Sequence, residues 1–283
     1  MASVKDFSID GLFSVRGLHV VITGLYMAKG FAANGAKVYI VGRRQAKLEE
    51  AKAVLDTLKS NDANVHTYVT ILKSVGLMSR ICADISDRSS IIRIAGSLAA
   101  VDVLINCAGI VLPDTPCNQF TPLDELQSAL LSSPPETWSK TFSTNVESAF
   151  FLSASLLHFL AAAPHGGRII NISSIGSTMS DPAISQPAYQ ASKAALNHLT
   201  RLQASKFQHL GIRVNAISPG YFPSQMNDPS NPKSMLARAR ELVPLQRGGE
   251  EEDAAGTAIW LASRAGSYVT GEVIPLAGGR NWA

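Results

Sequence analysis

The chain has 283 residues, of which 46% are hydrophobic and 17% are charged. Charged residues usually make up about 25% of a globular protein, so this composition excludes a disordered chain and predicts a large buried core. The net charge of +3 is spread along the chain without a tract of like charges, which argues against nucleic acid as a partner. At roughly 100–200 residues per domain, the length allows one or two domains.

Targeting and redox signals are few. The longest apolar stretch, Ala149–Ala163, is shorter than the roughly 20 residues that span a bilayer, so we predict a buried helix and no membrane partner. The polar first residues do not have the pattern of a secretory signal, which favours a cytoplasmic protein. Because Cys82, Cys107 and Cys117 include no CxxC pair, neither a disulfide framework nor a metal site is expected.

Strand and helix patterns alternate along the whole chain, without a linker or an internal repeat. This alternation predicts one α/β domain over residues 1–283, with a doubly wound, Rossmann-like parallel sheet and helices on both faces. The predicted strands are Leu18–Gly24, Lys37–Gly42, Arg80–Asp84, Asp102–Asn106, Gly167–Ser173, Ile212–Ser218 and Glu272–Leu276. The predicted helices are Leu25–Asn34, Gln45–Lys59, Ser89–Ala99, Leu123–Leu131, Pro134–Ala163, Ala188–His209 and Glu251–Ala262.

Polar or glycine residues follow most of the predicted strands directly. In a doubly wound sheet, ligands bind at the carboxyl ends of the strands, where the winding reverses. The sequence therefore predicts a site there, built from Thr23-Gly24, Arg43-Arg44, Asp84, Asn106, Ser173-Ser174 and Pro219-Gly220.

Tyr189 and Lys193 are four residues apart at the start of a predicted helix, which places both side chains on one face. A nearby ammonium favours the phenolate form of tyrosine, so we expect Lys193 to lower the pKa of Tyr189 and make it a general acid or base. Taken alone, such a pair is more often solvated helix surface. Ser174 ends a strand upstream, where its hydroxyl could bond a substrate oxygen or merely cap the strand.

Together these motifs resemble the classical short-chain dehydrogenase/reductase family, and the resemblance extends from Gly17 to Gly279. The residues that match, in the family's order and spacing, are Asn106-Cys-Ala-Gly109, Asn145, Asn171-Ile-Ser-Ser174, Tyr189-x-x-x-Lys193 and Pro219-Gly220.

The resemblance implies a catalytic tetrad of Asn145, Ser174, Tyr189 and Lys193. Tyr189 would exchange the proton, Ser174 would position the carbonyl or alcohol, and Lys193 would also hold the nicotinamide ribose. Asn145 would support a proton-relay water, although alone it could equally be a polar residue inside a helix.

The cofactor loop departs from the family pattern. Relatives have T-G-x-x-x-G-x-G between the first strand and helix, where glycines let the backbone approach the pyrophosphate. In this chain Thr23-Gly24 leads into Leu25-Tyr-Met27, and the alignment that preserves the first helix deletes about six residues of the glycine loop. We therefore expect pyrophosphate binding to be affected.

Residues 64–79 resemble an insertion of about a dozen residues relative to the family. Both differences would follow from altered splicing or an imperfect gene model of an ordinary enzyme. Sequencing the transcript across both junctions tests that hypothesis, because transcripts that all encode the chain as written would contradict it.

The other cofactor positions match the family. Gly42 stands where NAD-dependent relatives place an acidic residue, and Arg43 and Arg44 suit a 2′-phosphate, which favours NADP(H); alternatively, both arginines are solvated at a helix start. Tyr189 and Lys193 are shared with the tetrad. The remaining residues implied in cofactor binding are Thr23, Gly24, Asp84, Ile85, Asn106, Ala108, Gly109, Pro219, Gly220, Phe222 and Ser224.

The sequence thus predicts an NADPH-dependent oxidoreductase that transfers a hydride between the nicotinamide and a ketone or secondary alcohol. The segment Pro219–Ser224 is similar to that of 3-oxoacyl-carrier-protein-reductase-like members, which suggests a small 3-oxoacyl or lipid-like substrate. The alternative is a pseudoenzyme or splice variant that cannot bind dinucleotide and acts, if at all, as a scaffold. Low charge and two apolar helices predict a homodimer or homotetramer.

Overall fold

A seven-stranded, fully parallel sheet forms the centre of the molecule, in the order β3-β2-β1-β4-β5-β6-β7. The computed structural model describes residues 6–24, 26–58, 69–71, 84–114, 117–180, 186–224, 226–232 and 234–281, with 69–71 as backbone only. The strands are β1 (His19–Ile22), β2 (Lys37–Ile40), β3 (Val69–Ile71), β4 (Val103–Asn106), β5 (Arg168–Ile172), β6 (Arg213–Pro219) and β7 (Val273–Leu276).

Helices cover both faces of the sheet, as the alternating pattern predicts. They are α1 (Ile9–Phe13), α2 (Tyr26–Ala33), α3 (Gln45–Asp56), α4 (Arg88–Gly96), α5 (Leu123–Leu131), α6 (Pro135–Phe142), α7 (Ser148–Ser155), α8 (Leu157–Ala161), α9 (Pro187–Phe207), α10 (Ala239–Leu242) and α11 (Glu251–Ala262). Within the described ranges, none of them combines the length and apolar character needed to cross a membrane.

The core consists of two apolar clusters, one on each face of the sheet. Successive side chains of a strand point to opposite faces, so Val20 and Ile22 of β1 join one cluster while Val21 joins the other. Helices α2, α3 and α11 supply the first cluster, and α4, α7, α8 and α9 supply the second. The layers are therefore helix, sheet and helix.

The edge strand beside β2 is one that the sequence did not predict. Residues 80–83 of the predicted strand Arg80–Asp84 lie outside the described part of the chain, so that strand stays a prediction. In the structure Val69–Ile71 pairs with β2, with Val69 opposite Val38 and Ile71 opposite Ile40. This Val-Thr-Ile run has strong β propensity, and it belongs to the segment interpreted as an insertion.

The helix that follows β1 is short and begins only a few residues after the strand. Helix α2 begins at Tyr26, so Met27 to Gly30 are helical and do not form a glycine loop. Its end is the predicted one, because Gly35 has φ +80° and donates its N–H to the Ala32 carbonyl. Two residues, Gly24 and Leu25, thus separate Thr23 from the helix.

The helix predicted over Pro134–Ala163 is interrupted. Between α6 and α7 the chain forms one π-helical turn, Ser143–Glu147, and Leu156 separates α7 from α8. Such π turns widen a helix locally and often occur at functional sites. Asn145 lies in this turn.

The strand order reverses between β1 and β4. From β1 the chain proceeds outward to β2 and β3 and then returns to β4 on the other side of β1. The two strands stay paired up to Ile22 and Ile105, but the connections that leave their carboxyl ends go in opposite directions and leave a crevice, the usual ligand position in doubly wound sheets.

Candidate active site

A cleft lies at this crevice, where the structure brings together residues from several strand ends. Those predicted to bind cofactor are Thr23, Arg43, Asp84, Ile85, Ala108 and Gly109, and the lining is completed by Val41, Gly42, Ile110 and Thr144.

Thr23 ties the two sides of the cleft together. Its Oγ1 accepts hydrogen bonds from the backbone N–H groups of Cys107 and Ala108, at 2.7 and 2.8 Å. The segment after β4 is thereby attached to the end of β1. Because Thr23 Oγ1 already accepts two hydrogen bonds, its main contribution is to shape the cleft wall.

Arg43 and Asp84 lie on the adenosine side of the cleft, as that side is implied by the family resemblance. Burial opposes ionisation of Asp84, but hydrogen bonds from Ser86 and the charge of Arg43 outweigh it and lower the pKa of this carboxyl. Arg43 is exposed and lines the cleft, whereas Arg44 is exposed at the N-cap of α3 and does not. A 2′-phosphate in the cleft would thus meet Arg43.

Ser174 and Tyr189 meet above the end of β5. Ser174 follows the strand, caps a 3₁₀ turn over Ile175–Ser177, and accepts from the Gly176 N–H at 3.1 Å. The Tyr189 ring is its neighbour, because a Cβ atom on Gly176 would lie 3.4 Å from Ser174 Oγ and 3.8 Å from Tyr189 Cε1. A carbonyl oxygen placed beside this pair could accept from both hydroxyls.

The pKa of Tyr189 departs from the sequence expectation in sign. Burial raises it, and the hydrogen bond with Ser174 counters only part of that rise. The expected lowering by Lys193 is therefore wrong for this state of the chain. The Lys193 ammonium lies 5.8 Å from the centre of the Tyr189 ring, and removal of the phenol from water outweighs that charge.

Lys193 is buried below the phenol, with 3% of its surface exposed. Its Nζ donates to the Ile172 carbonyl at 2.8 Å, which holds the ammonium at the end of β5. Burial lowers the pKa of Lys193 to about 8, and interaction with the Cys107 thiol partly opposes that shift. The ammonium therefore persists at neutral pH.

Asn145 anchors the segment after β4. Its Oδ1 accepts from the Ile110 N–H at 2.8 Å, and its Nδ2 donates to the Ile110 carbonyl at 3.0 Å. At the neighbouring Gly109, a Cβ atom would lie 3.1 Å from Lys193 Nζ and 3.4 Å from Asn145 Oδ1. All four members of the implied tetrad thus converge on this end of the cleft.

The cleft fits parts of a nicotinamide dinucleotide better than the whole. The adenosine side has Arg43 and the backbone after β4, and beyond the lining at Gly109 lie Lys193 and, next to it, Tyr189. Gly24 packs so closely that a Cβ there would be 2.6 Å from the Cys107 sulfur. Between these sides only Gly24 and Leu25 precede α2, which leaves few backbone N–H groups for a diphosphate.

Several predicted cofactor residues point elsewhere. Asn106 is buried and donates to Asn171 at 2.9 Å, within a polar network below the cleft. Ser224 caps a turn by accepting from the N–H groups of Met226 and Asn227.

The residues at the end of β6 pack mainly against neighbouring chain segments. Pro219 ends the strand, and the Gly220 N–H donates a hydrogen bond to the Leu276 carbonyl at 2.9 Å. The Phe222 ring packs on Gly249 and borders a second pocket, which contains none of the tetrad.

Sequence reasoning missed Ile110, Thr144 and Ser192. Ile110 and Thr144 line the cleft, and each adjoins a residue that a motif identifies, Gly109 and Asn145. Ser192 lies next to Lys193 inside the Tyr189–Lys193 motif, but its contact with Asn145 joins two helices distant in sequence. No spacing pattern predicts such a pair.

Comparisons with known proteins agree with this geometry. The family model described as enoyl-(acyl carrier protein) reductase matches residues 23–281. The short-chain dehydrogenase/reductase PhomF of Diaporthe leptostromiformis is 36% identical, over 95% of this chain and 93% of the relative. A rhamnolipids biosynthesis 3-oxoacyl-[acyl-carrier-protein] reductase of Pseudomonas aeruginosa is 34% identical, over 94% of this chain and 97% of the relative.

Solved structures share the fold. The NADP active-site complex of RhlG from Pseudomonas aeruginosa has a TM-score of 0.77 at 29% identity and covers 95% of this chain and 98% of its own. A short-chain type dehydrogenase/reductase from Mycobacterium ulcerans also has a TM-score of 0.77, at 26% identity, over 95% of this chain and 91% of its own. The chain therefore belongs to the short-chain dehydrogenase/reductase family of nicotinamide-dependent oxidoreductases, which interconvert ketones and secondary alcohols.

Proposed function

We propose that the chain is an NADPH-dependent carbonyl reductase in which Tyr189 donates the proton to the substrate oxygen. The observation that carries this proposal is the meeting of Ser174, Tyr189 and the buried Lys193 ammonium at one end of the cleft. Two hydroxyls and a cation around one point suit a carbonyl that becomes an alkoxide.

The role of each residue in the proposed reaction follows from its protonation state. Tyr189 keeps its proton at neutral pH, as an ordinary tyrosine does, and burial raises its pKa further, so it can act as an acid in the reductive direction. Ser174 holds the substrate oxygen, and the Lys193 ammonium stabilises the phenolate that the transfer leaves behind. A bound nicotinamide supplies the hydride.

The preference for NADPH over NADH rests on Arg43. Gly42 offers no carboxylate to the ribose, and Arg43 lines the cleft where a 2′-phosphate would lie. The RhlG structure, which is similar to this chain, is described as an NADP complex.

Arg43 and Arg44 form a matched pair for testing that preference. Arg43→Ala should weaken NADPH binding roughly tenfold or more and leave NADH binding unchanged, because a charge-assisted contact to phosphate is lost. Arg44→Ala should change neither, since Arg44 lies outside the cleft lining. Equal losses in the two variants would remove Arg43 from phosphate recognition.

For the substrate we propose a 3-oxoacyl or similar lipid-like ketone. The family description and the Pseudomonas aeruginosa relative both name acyl-carrier-protein chemistry. NADPH with deuterium at the transferable position should label the hydroxyl-bearing carbon of a 3-oxoacyl thioester. Label transfer to short ketones but not to the thioester would contradict the acyl assignment.

One observation favours a second candidate, a pseudoenzyme that does not bind dinucleotide. Helix α2 begins at Tyr26, two residues after Gly24, so the diphosphate has little backbone to bind. A failure of label transfer to every ketone, together with no saturable NADPH binding, would favour this candidate.

We further propose a cytoplasmic location and a homodimeric or homotetrameric assembly. The location is supported by the small, odd number of cysteines, three in 283 residues, which does not indicate a disulfide framework of the kind common in secreted proteins. The assembly is supported by apolar side chains exposed on α7 and α9, among them Phe150 and Leu202.

A further inference from the structure

Ser192 is a fully buried hydroxyl between the two motif residues of α9. Its Oγ donates to the Tyr189 carbonyl at 2.7 Å, and Asn145 Nδ2 donates to the same oxygen at 3.0 Å. A hydroxyl has one proton to donate, and that of Ser192 is already donated in the hydrogen bond to the Tyr189 carbonyl. The group that faces Ser192 from Asn145 must therefore be a donor, which is the amide nitrogen.

This contact favours one orientation of the Asn145 amide. With its nitrogen towards Ser192, the Asn145 oxygen accepts from the Ile110 N–H at 2.8 Å. A flipped amide would direct an N–H group against the Ile110 N–H and leave two donors facing each other. The Ile110 backbone favours the same orientation, because its N–H meets the amide oxygen and its carbonyl meets the amide nitrogen, and the acceptor at residue 192 adds a third hydrogen bond that holds Asn145 in place.

We propose that Ser192 is a positioning residue, whose hydroxyl orients Asn145 and thereby holds the Gly109–Ile110 backbone against Lys193 in the cleft. The contacts link three separate parts of the fold: helix α9, the π turn and the segment after β4. The kinetic consequence of this inference rests on the proposed reductase function, whereas its structural consequence does not.

Helix α9 offers a matched control in Thr200. Its buried hydroxyl donates to the Leu196 carbonyl at 2.9 Å and accepts from Asn171 Nδ2, also at 2.9 Å. The chemistry is that of Ser192, but Asn171 belongs to the network below the cleft. Ser192→Ala and Thr200→Val therefore remove equivalent hydrogen bonds from one helix, one at the site and one away from it.

Hydrogen–deuterium exchange of the Ile110 amide tests the positioning directly. In Ser192→Ala this amide should exchange roughly tenfold faster, because loss of one hydrogen bond releases its acceptor, while Thr200→Val should leave it unchanged. Ser192→Cys, which keeps the volume but has a weak acceptor, should behave like the alanine variant. Unchanged exchange in both Ser192 variants would overturn the proposal.

Kinetics supply the second measurement. Ser192→Ala should lower kcat roughly tenfold with KM for NADPH within about twofold, Ser192→Thr should restore kcat, and Thr200→Val should stay at the wild-type value. In an Asn145→Ala background, Ser192→Ala should have no further effect. Equal kcat losses in Ser192→Ala and Thr200→Val would overturn the proposal. A wild-type chain without turnover would contradict the reductase function alone, because amide exchange would still decide the role of Ser192.

Discussion

Tyr189 holds its proton more tightly than an exposed tyrosine because the fold removes its phenol from water. Burial raises its pKa, and the hydrogen bond with Ser174 offsets part of that effect. The spacing of Tyr189 and Lys193 correctly predicts that they are neighbours, at 5.8 Å from ammonium to ring centre. The spacing contains no information on burial, so it could not predict which influence on the pKa is larger.

Tyr189→Phe should abolish turnover and leave NADPH affinity within about twofold, because the substitution removes only the exchangeable proton. Turnover and calorimetric binding of the purified variant measure the two effects. Tyr39→Phe serves as a control, since the Tyr39 hydroxyl is hydrogen-bonded to His19 on β1 and lies outside the cleft lining. If Tyr189→Phe retained turnover within a few-fold of wild type, Tyr189 would not be the proton donor.

Lys193 predicts how reduction depends on pH. Burial lowers its pKa to about 8, so the ammonium is present below that pH and is lost above it. Tyr189, with a raised pKa, stays protonated in the same range. The kcat/KM for carbonyl reduction should therefore fall as pH rises through about 8, since this ratio reports groups of the free enzyme. A ratio that stays level between pH 7 and roughly 9.5 would show that the Lys193 charge is not required.

Among the elements, we expect the junction of β1 and α2 to limit cofactor binding. Oriented N–H groups at a helix N-terminus are what bind a diphosphate in this architecture, and only Gly24 and Leu25 are available to form the turn. Arg43 can contribute only at the adenosine ribose.

Inserting Gly-Gly-Ser-Gly-Ile-Gly between Gly24 and Leu25 should raise NADPH affinity by at least about tenfold, with activity rising in step. The four glycines of the insertion supply backbone N–H donors, and they have no Cβ atoms that would keep the phosphates at a distance. An Ala-Ala-Ser-Ala-Ile-Ala insertion at the same place lengthens the turn equally and should not have this effect. Equal affinity with and without the glycine segment would mean that the short turn already binds diphosphate by another geometry.

Most elements could be predicted because their cues are local. Gly35 ends α2 where expected, and the predicted helices Leu123–Leu131 and Glu251–Ala262 form with those bounds. The strand Val69–Ile71 was not predicted because an edge strand is decided by pairing with β2, which the sequence does not show, and the strand predicted at Arg80–Asp84 stays a prediction. The π turn at Asn145 was missed because apolar periodicity continues through it.

In the site, too, the residues with local sequence cues could be predicted, and those that depend on packing could not. Tyr189, Lys193 and Ser174 could be placed from motif spacing and strand ends. The inward direction of Asn106 and the contact of Ser192 with Asn145 depend on packing between distant elements, so no spacing could predict them.

At the scale of the whole molecule, exposed apolar side chains predict self-association. Phe150 on α7 is 42% exposed and Leu202 on α9 is 54% exposed. Light scattering should therefore give two or four times the chain mass of 30.1 kDa, because covering such side chains stabilises an oligomer.

Phe150→Asp should shift that mass towards the monomer, whereas Tyr268→Asp, at a fully exposed side chain that follows the 3₁₀ turn Arg264–Gly266, should not. A wild-type mass of 30.1 kDa at micromolar concentration would contradict the assembly.

The most direct test of the central claim is a titration of the purified chain with NADPH, followed by energy transfer from protein to nicotinamide fluorescence. If this chain is a working nicotinamide-dependent reductase, energy transfer should saturate with one NADPH per chain. Excess NADP⁺, which does not fluoresce, should compete with NADPH and abolish the transfer. No saturable transfer at millimolar NADPH, from a chain whose circular dichroism shows it folded, would contradict the account.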